Sequence, residues 1–84
     1  MVVAYALIKA DSGKDARILA IVRRRKEVRE VALTYGVFDL IAKIEVNSPE
    51  DLDTFIFDFL RTIPEVKETT TLITSRTESG AAPD

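Results

Sequence analysis

Apolar residues along the chain fall into six stretches whose spacing switches between that of a strand and that of a helix. In "VVAYALIKA" they alternate, which predicts a strand near residues 2–10. "DSGK" ends it. Ser12 and Asp15 have the spacing of a capping box, so a helix is expected from about 13 to 25, with Ile18, Leu19 and Val22 on its buried face. The run Arg23–Lys26 is expected in the last turn of that helix, where cations complement the dipole. "EVREVALTY" and "VFDLIAKIEV" predict the second and third strands, joined around Gly36, the residue type that turns with positive φ at least cost. Along the third strand Phe38, Leu40, Ala42, Ile44 and Val46 share one face, and Asp39, Ile41, Lys43 and Glu45 the other.

"NSPED" announces a second helix, with Ser48 as N-cap, Pro49 at the first helical position and Asp51 at the capping-box position. Leu52, Phe55, Ile56, Phe59, Leu60 and Ile63 then recur at the spacing of one helical stripe. Pro64 stops the helix, and "EVKETTTLITS" predicts a fourth strand. The tail "TESGAAPD" has little apolar surface to bury. It is expected to be disordered and dispensable.

The two halves echo each other: each runs strand, Ser-capped helix, then a strand opening with "EVRE" or "EVKE". The order βαββαβ predicts an α+β, ferredoxin-like domain over residues 1–76, with four antiparallel strands, both helices on one face, and a tail over 77–84. The other face of the sheet has nothing intramolecular to cover it. Val31, Leu33, Tyr35 and Ile41 are expected there, and so apolar a face predicts a dimer formed through the sheet. Phe57 falls off the buried stripe of its helix.

Composition narrows the chemistry. A chain of 84 residues is one domain and buries only about 60–65% of the surface its unfolded form exposes, which favours self-association. With no Cys and no His it has neither a thiolate metal site nor the commonest general base, so an enzyme is not expected. Pairs such as Glu50 with Asp51, or Asp53 with Asp58, read as solvated helix carboxylates. The net charge of −2 argues against direct DNA binding, and "LIAKI" lacks the interleaved aromatic and basic residues of an RNA-recognition motif. No apolar run approaches the roughly 20 residues of a membrane span, and the start lacks the features of a signal peptide, so a cytoplasmic protein is expected.

Four local features, "AYALIKADSGK", "YGVFDLIAKIEV", "SPEDLDTFI" and "IPEVKETTTLIT", occur in an order and spacing that resemble the effector-binding domain of the Lrp/AsnC (feast/famine) transcriptional regulators, in its stand-alone form without a helix-turn-helix. The resemblance covers roughly residues 3–75. It implies dimers joined through their sheets, often assembled into octamers or similar rings, with free amino acids bound between dimers near the turn joining the second and third strands. It also implies a regulatory role in amino-acid metabolism and hetero-assembly with a full-length regulator. No cofactor is implied. Carried over by position, the ligand residues are Gly36, Phe38 and Asp39 of the turn and Thr69 and Thr71 of the last strand. The family's usual Tyr in this turn is Phe38 here. An amino-acid zwitterion needs an anion for its ammonium group and donors for its carboxylate, which Asp39, the turn amides and the Thr hydroxyls supply. On residues alone, Gly36 equally reads as a simple turn, Asp39 as a solvated strand-start residue and the Thr residues as strand formers. Two rivals share the βαββαβ order: an ACT-type amino-acid module, whose ligand would sit near "DSGKDARIL", and a cofactor-free dimeric monooxygenase, for which no His or Trp is present.

Overall fold

A computed structural model describes residues 1–81. The elements are β1 (Val2–Ala10), α1 (Asp15–Val22), β2 (Val28–Leu33), β3 (Leu40–Val46), α2 (Pro49–Asp58), a 3-10 turn (Leu60–Thr62) and β4 (Val66–Ile73). The sheet has four strands in the order β2-β3-β1-β4, with every neighbouring pair antiparallel. Each βαβ crossover therefore skips one strand, and the fold is the ferredoxin-like α+β arrangement the element order predicts.

One side of the sheet is covered. Ala4, Ala6 and Ile8 of β1 and Leu40, Ala42 and Ile44 of β3 meet Ile18 and Val22 of α1 and Leu52 and Phe55 of α2 in a single core. The small Ala residues in the two central strands let the helices approach, and Phe55, 1% exposed, fills the space above them. The predicted α2 stripe is buried except for Phe59, which is half-buried beneath the Arg25 guanidinium, 4.3 Å from its ring centre. Ser48 caps α2 as its sequence suggests: its Oγ accepts the Asp51 N–H at 3.2 Å, and Pro49 occupies the first turn.

The second helix ends at Asp58, and a 3-10 turn over Leu60–Thr62 carries the stripe on toward Pro64, where the sequence expectation has one helix reach Pro64. Four further details differ from the sequence expectation. The first helix spans Asp15–Val22, not 13–25. Its N-cap is Lys14 without a side-chain cap, and Asp15 Oδ1 accepts the N–H of Ala16, so Ser12 closes no capping box. Arg23–Lys26 follow the helix in turns rather than filling its last turn. Arg25 instead pairs with Glu27, its Nη2 3.2 Å from Oε2.

The fourth difference concerns the open face. Val28 pairs with Ile44 but Glu30 with Lys43, so β2 carries one extra residue, a β-bulge. The bulge shifts the alternation by one. Val31 and Leu33 consequently stand opposite Ala42 and Leu40 on the helix side, where Val31 packs against the core, and Tyr35 lies beyond the strand in the turn. By the same register the uncovered face carries Ile41, as expected, together with Val3, Tyr5, Leu7, Ala32 and Leu72. The face is apolar in part, built largely from other residues than those expected, with Lys43, Glu45 and Glu30 on the same side by register. Thr77–Ala81 are exposed and in no helix or strand, and the rest of the predicted tail lies outside the described residues.

Candidate functional site

The β2–β3 connection is closed by two hydrogen bonds from one residue: Thr34 N–H donates to the Asp39 carbonyl at 2.9 Å, and Thr34 Oγ1 to the Phe38 carbonyl at 2.8 Å. Gly36 sits between them at φ +106°, where an L side chain is strained, although a Cβ there would meet nothing within 4 Å. Glycine is needed for conformation, not for space. Tyr35 and Val37 beside it are exposed.

Asp39 lies one residue ahead of β3. Its N–H donates to the Ile8 carbonyl at 2.8 Å, and its Oδ2 accepts the Ala10 N–H at 2.8 Å. The carboxylate thus clamps the start of β3 to the end of β1, at the point where the β1–β4 register shifts between Lys9 and Ala10. Among the described residues no hydrogen bond reaches Oδ1, so only one of the two oxygens is engaged structurally. Lys9 completes the cluster. Its Nζ lies 5.8 Å from the Phe38 ring centre and 4.0 Å from Glu68 Oε2 on β4. Sequence reasoning passed over this lysine. The available signal was a charge, Lys9, in an otherwise apolar strand one row from Asp39.

Thr69 and Thr71 lie elsewhere. They stand opposite Ile8 and Ala6, which are buried on the helix side, so their side chains share that side. There they line an open groove of about 490 Å³ with Ile56, Arg61, Val66 and Lys67. Gly36, Phe38 and Asp39 are therefore brought together at one end of the sheet, and Thr69 and Thr71 along its β4 edge, with β1 between the two groups. Glu68 also borders the Thr groove, so its ion pair with Lys9 connects the two groups. Within one protomer the five residues share no single pocket among the described residues.

Elsewhere, charged side chains that line concave regions partly pair with each other. A groove of about 510 Å³ beside the start of α2 includes Glu27, Arg29 and Glu45, but Arg29 Nε sits 2.7 Å from Glu45 Oε2. Glu27 is held below the usual carboxylate range by its hydrogen bonds from Arg25, against a smaller opposing effect of burial. The β1–α1 turn is tied to β4 by Asp11 N–H donating to the Glu65 carbonyl at 2.9 Å and by Arg17 Nε at 2.8 Å from Glu65 Oε2. Among the described residues no group of three or more acidic, His or Cys side chains is placed to hold a metal ion.

Comparison with known proteins identifies the domain. A family model described as the Lrp/AsnC ligand binding domain matches residues 3–81. The HTH-type transcriptional regulator FL11 of Pyrococcus abyssi is 35% identical over 74 residues, which are 88% of this chain and 48% of the regulator. The chain spans about half the length of that relative. Among solved structures, FFRP-DM1 superposes with a TM-score of 0.86 at 36% identity, covering 88% of this chain and 99% of that one. The transcriptional regulator NMB0573 of Neisseria meningitidis, solved as a complex with L-Met, superposes with a TM-score of 0.83 over 98% of this chain and 56% of its own. At 20% identity that last likeness is one of fold.

Proposed function

The chain belongs to the Lrp/AsnC ligand-binding domain family, and from that premise we propose that it binds a free amino acid as an effector of transcriptional regulation, at a site shared between copies of itself. Gly36, Phe38 and Asp39 form one half of that site and Thr69 and Thr71 the other. The observation that carries the reading is the state of Asp39, with one oxygen fixed on the Ala10 N–H and the second without a partner among the described residues, next to Lys9 and the Phe38 ring. A held carboxylate suits an ammonium group, because its orientation is fixed before the ligand arrives. The Lys9 ammonium gives the effector carboxylate a counter-charge. Phe38 offers an apolar surface in place of the hydroxyl the family's usual Tyr would bring.

The separation of the two half-sites supports a ligand bound between subunits. The uncovered face with Tyr5, Leu7 and Ile41 at its centre supports a homodimer formed through the sheet, further assembly into a ring, and mixed assembly with a longer regulator of the family. Its relatives are transcriptional regulators, and the proposed role is regulatory rather than enzymatic, in the cytoplasm, without direct DNA contact by this domain. Among the described residues no helix is long and apolar enough to cross a membrane. The family match replaces the ACT-type reading.

A thermal-shift screen of the twenty standard amino acids tests the proposal. A true effector at 100 times its Kd adds about 2.7 kcal/mol to stability. If none of the twenty shifts the transition, the effector reading fails. If one does, and Asp39→Asn leaves its affinity unchanged by calorimetry, the site is elsewhere.

A further inference from the structure

We propose that Glu68 sets the affinity of the effector site by competing with the effector's carboxylate for the Lys9 ammonium. This role rests on the effector reading proposed above and adds to it a residue outside the five named there.

The charges at one end of the uncovered sheet face are uneven. Lys9 is the partner of Glu68 across β1 and β4, so their side chains share a face. That face is the uncovered one, because Lys9 follows Leu7 at an interval of two residues along β1. On the other side of β1, Asp39 precedes Ile41 by two residues and donates its N–H to the Ile8 carbonyl, which brings its carboxylate to the same end. Two carboxylates therefore flank one ammonium. An amino-acid zwitterion needs one anion for its ammonium and one cation for its carboxylate, so one of the two acids is in surplus. Asp39 is the fixed one, its Oδ2 held by the Ala10 N–H at 2.8 Å. The Glu68 side chain accepts no hydrogen bond among the described residues, and its one described ion pair is with Lys9, at 4.0 Å from Oε2.

The Lys9 ammonium is placed to change partners. Its Nζ lies 5.8 Å from the Phe38 ring centre as well as 4.0 Å from Glu68, so it stands between β4 and the turn that carries Asp39. Glu68 and Asp39 are on opposite sides of it, since β1 runs between β3 and β4. An effector carboxylate beside Asp39 draws the ammonium toward the turn. The pair with Glu68 is already at the outer limit of an ion pair, so any shift in that direction breaks it. Both members are partly exposed, with 36% and 58% of their side-chain surface in water. The pair is therefore weak, and its rupture returns Glu68 to solvent instead of leaving a buried charge unpaired. Glu68 thus lowers the effector's affinity by a small factor and does not block the site.

The test compares the full wild-type chain with Glu68→Gln, both screened against the twenty standard amino acids. Calorimetry then measures the amino acid that shifts the thermal transition, and its primary amide, which keeps the ammonium but has no carboxylate. Glu68→Gln should bind the amino acid roughly twofold to fivefold more tightly, the scale of one exposed ion pair. The amide should gain nothing, because it makes no demand on Lys9. In a Lys9→Met background the gain from Glu68→Gln should disappear. Glu68 is exposed, so circular dichroism and the mass by light scattering should match the wild type. Binding seen with Glu68→Gln alone is the extreme form of the expected result. Equal or weaker binding by Glu68→Gln overturns the role of Glu68 and leaves the effector reading standing, as does an equal gain for the amide or a gain that comes with a changed mass. If none of the twenty shifts either protein, the effector reading falls and this role falls with it.

Discussion

Removing the Asp39 carboxylate should destabilise the fold before any ligand is considered. In Asp39→Ala the Ala10 N–H loses a 2.8 Å charge-assisted acceptor in a partly buried position at the end of a central strand. Hydrogen bonds to charged groups contribute about 1.5–3 kcal/mol, and an amide left unpaired costs about 1–3 kcal/mol. Partial access of water to the strand end places the expected loss near 2 kcal/mol. A domain of this size shifts its melting temperature by about 4–8 °C per kcal/mol, so a fall of roughly 8–16 °C is expected. Asp39→Asn keeps an oxygen acceptor in the same place, and its loss should stay near 1 kcal/mol. The assay is thermal unfolding of wild type, Asn and Ala variants at one protomer concentration, because association would otherwise move the transition. Under the proposed pairing of Asp39 with an effector ammonium, the same Asn variant should lose roughly 1.5–3 kcal/mol of effector affinity, since the carboxylate loses its charge. Stability and binding thus respond differently to the two replacements. An Ala variant melting within a degree of wild type would refute the clamp described for this residue.

Two further outcomes follow from the caps and ion pairs. Ser48→Ala should cost about 1 kcal/mol by removing the acceptor for the Asp51 N–H, whereas Ser12→Ala should leave the denaturant midpoint unchanged; equal effects would contradict the assigned helix starts. The folded pKa of Glu27 lies below its ordinary value because of Arg25, so the unfolded chain takes up the proton first. Its stabilisation is fully present above the unfolded carboxylate value of about 4.3 and is lost as pH falls through the lower folded value. Urea midpoints of wild type and Glu27→Gln should therefore converge on acidification through this window. A gap independent of pH would show that Glu27 contributes nothing by titration.

Much of the fold is written in local spacing. The alternation in "VVAYALIKA", the stripe from Leu52 to Ile63, the Ser48-Pro49 start and the Gly36 turn each follow from backbone geometry and local hydrogen bonding, and the element order they imply leaves few topologies. What the sequence left undetermined depends on residues distant along the chain. A single extra residue in β2, set by pairing with β3, reverses which face Val31 and Leu33 occupy, and no pattern within β2 reveals it. Ser12 has the right neighbours for a cap but lies two residues ahead of the Lys14 N-cap, with Gly13 at φ +75° between. Asp39 was legible as a residue beside a turn. That one of its oxygens holds the Ala10 amide, and that Lys9 and Glu68 stand next to it, arises only when β1 is laid between β3 and β4. The same central strand separates Thr69 and Thr71 from Asp39. Local periodicity fixes which side chains one element can bury, whereas register between elements, a long-range property, decides which of the remaining ones meet.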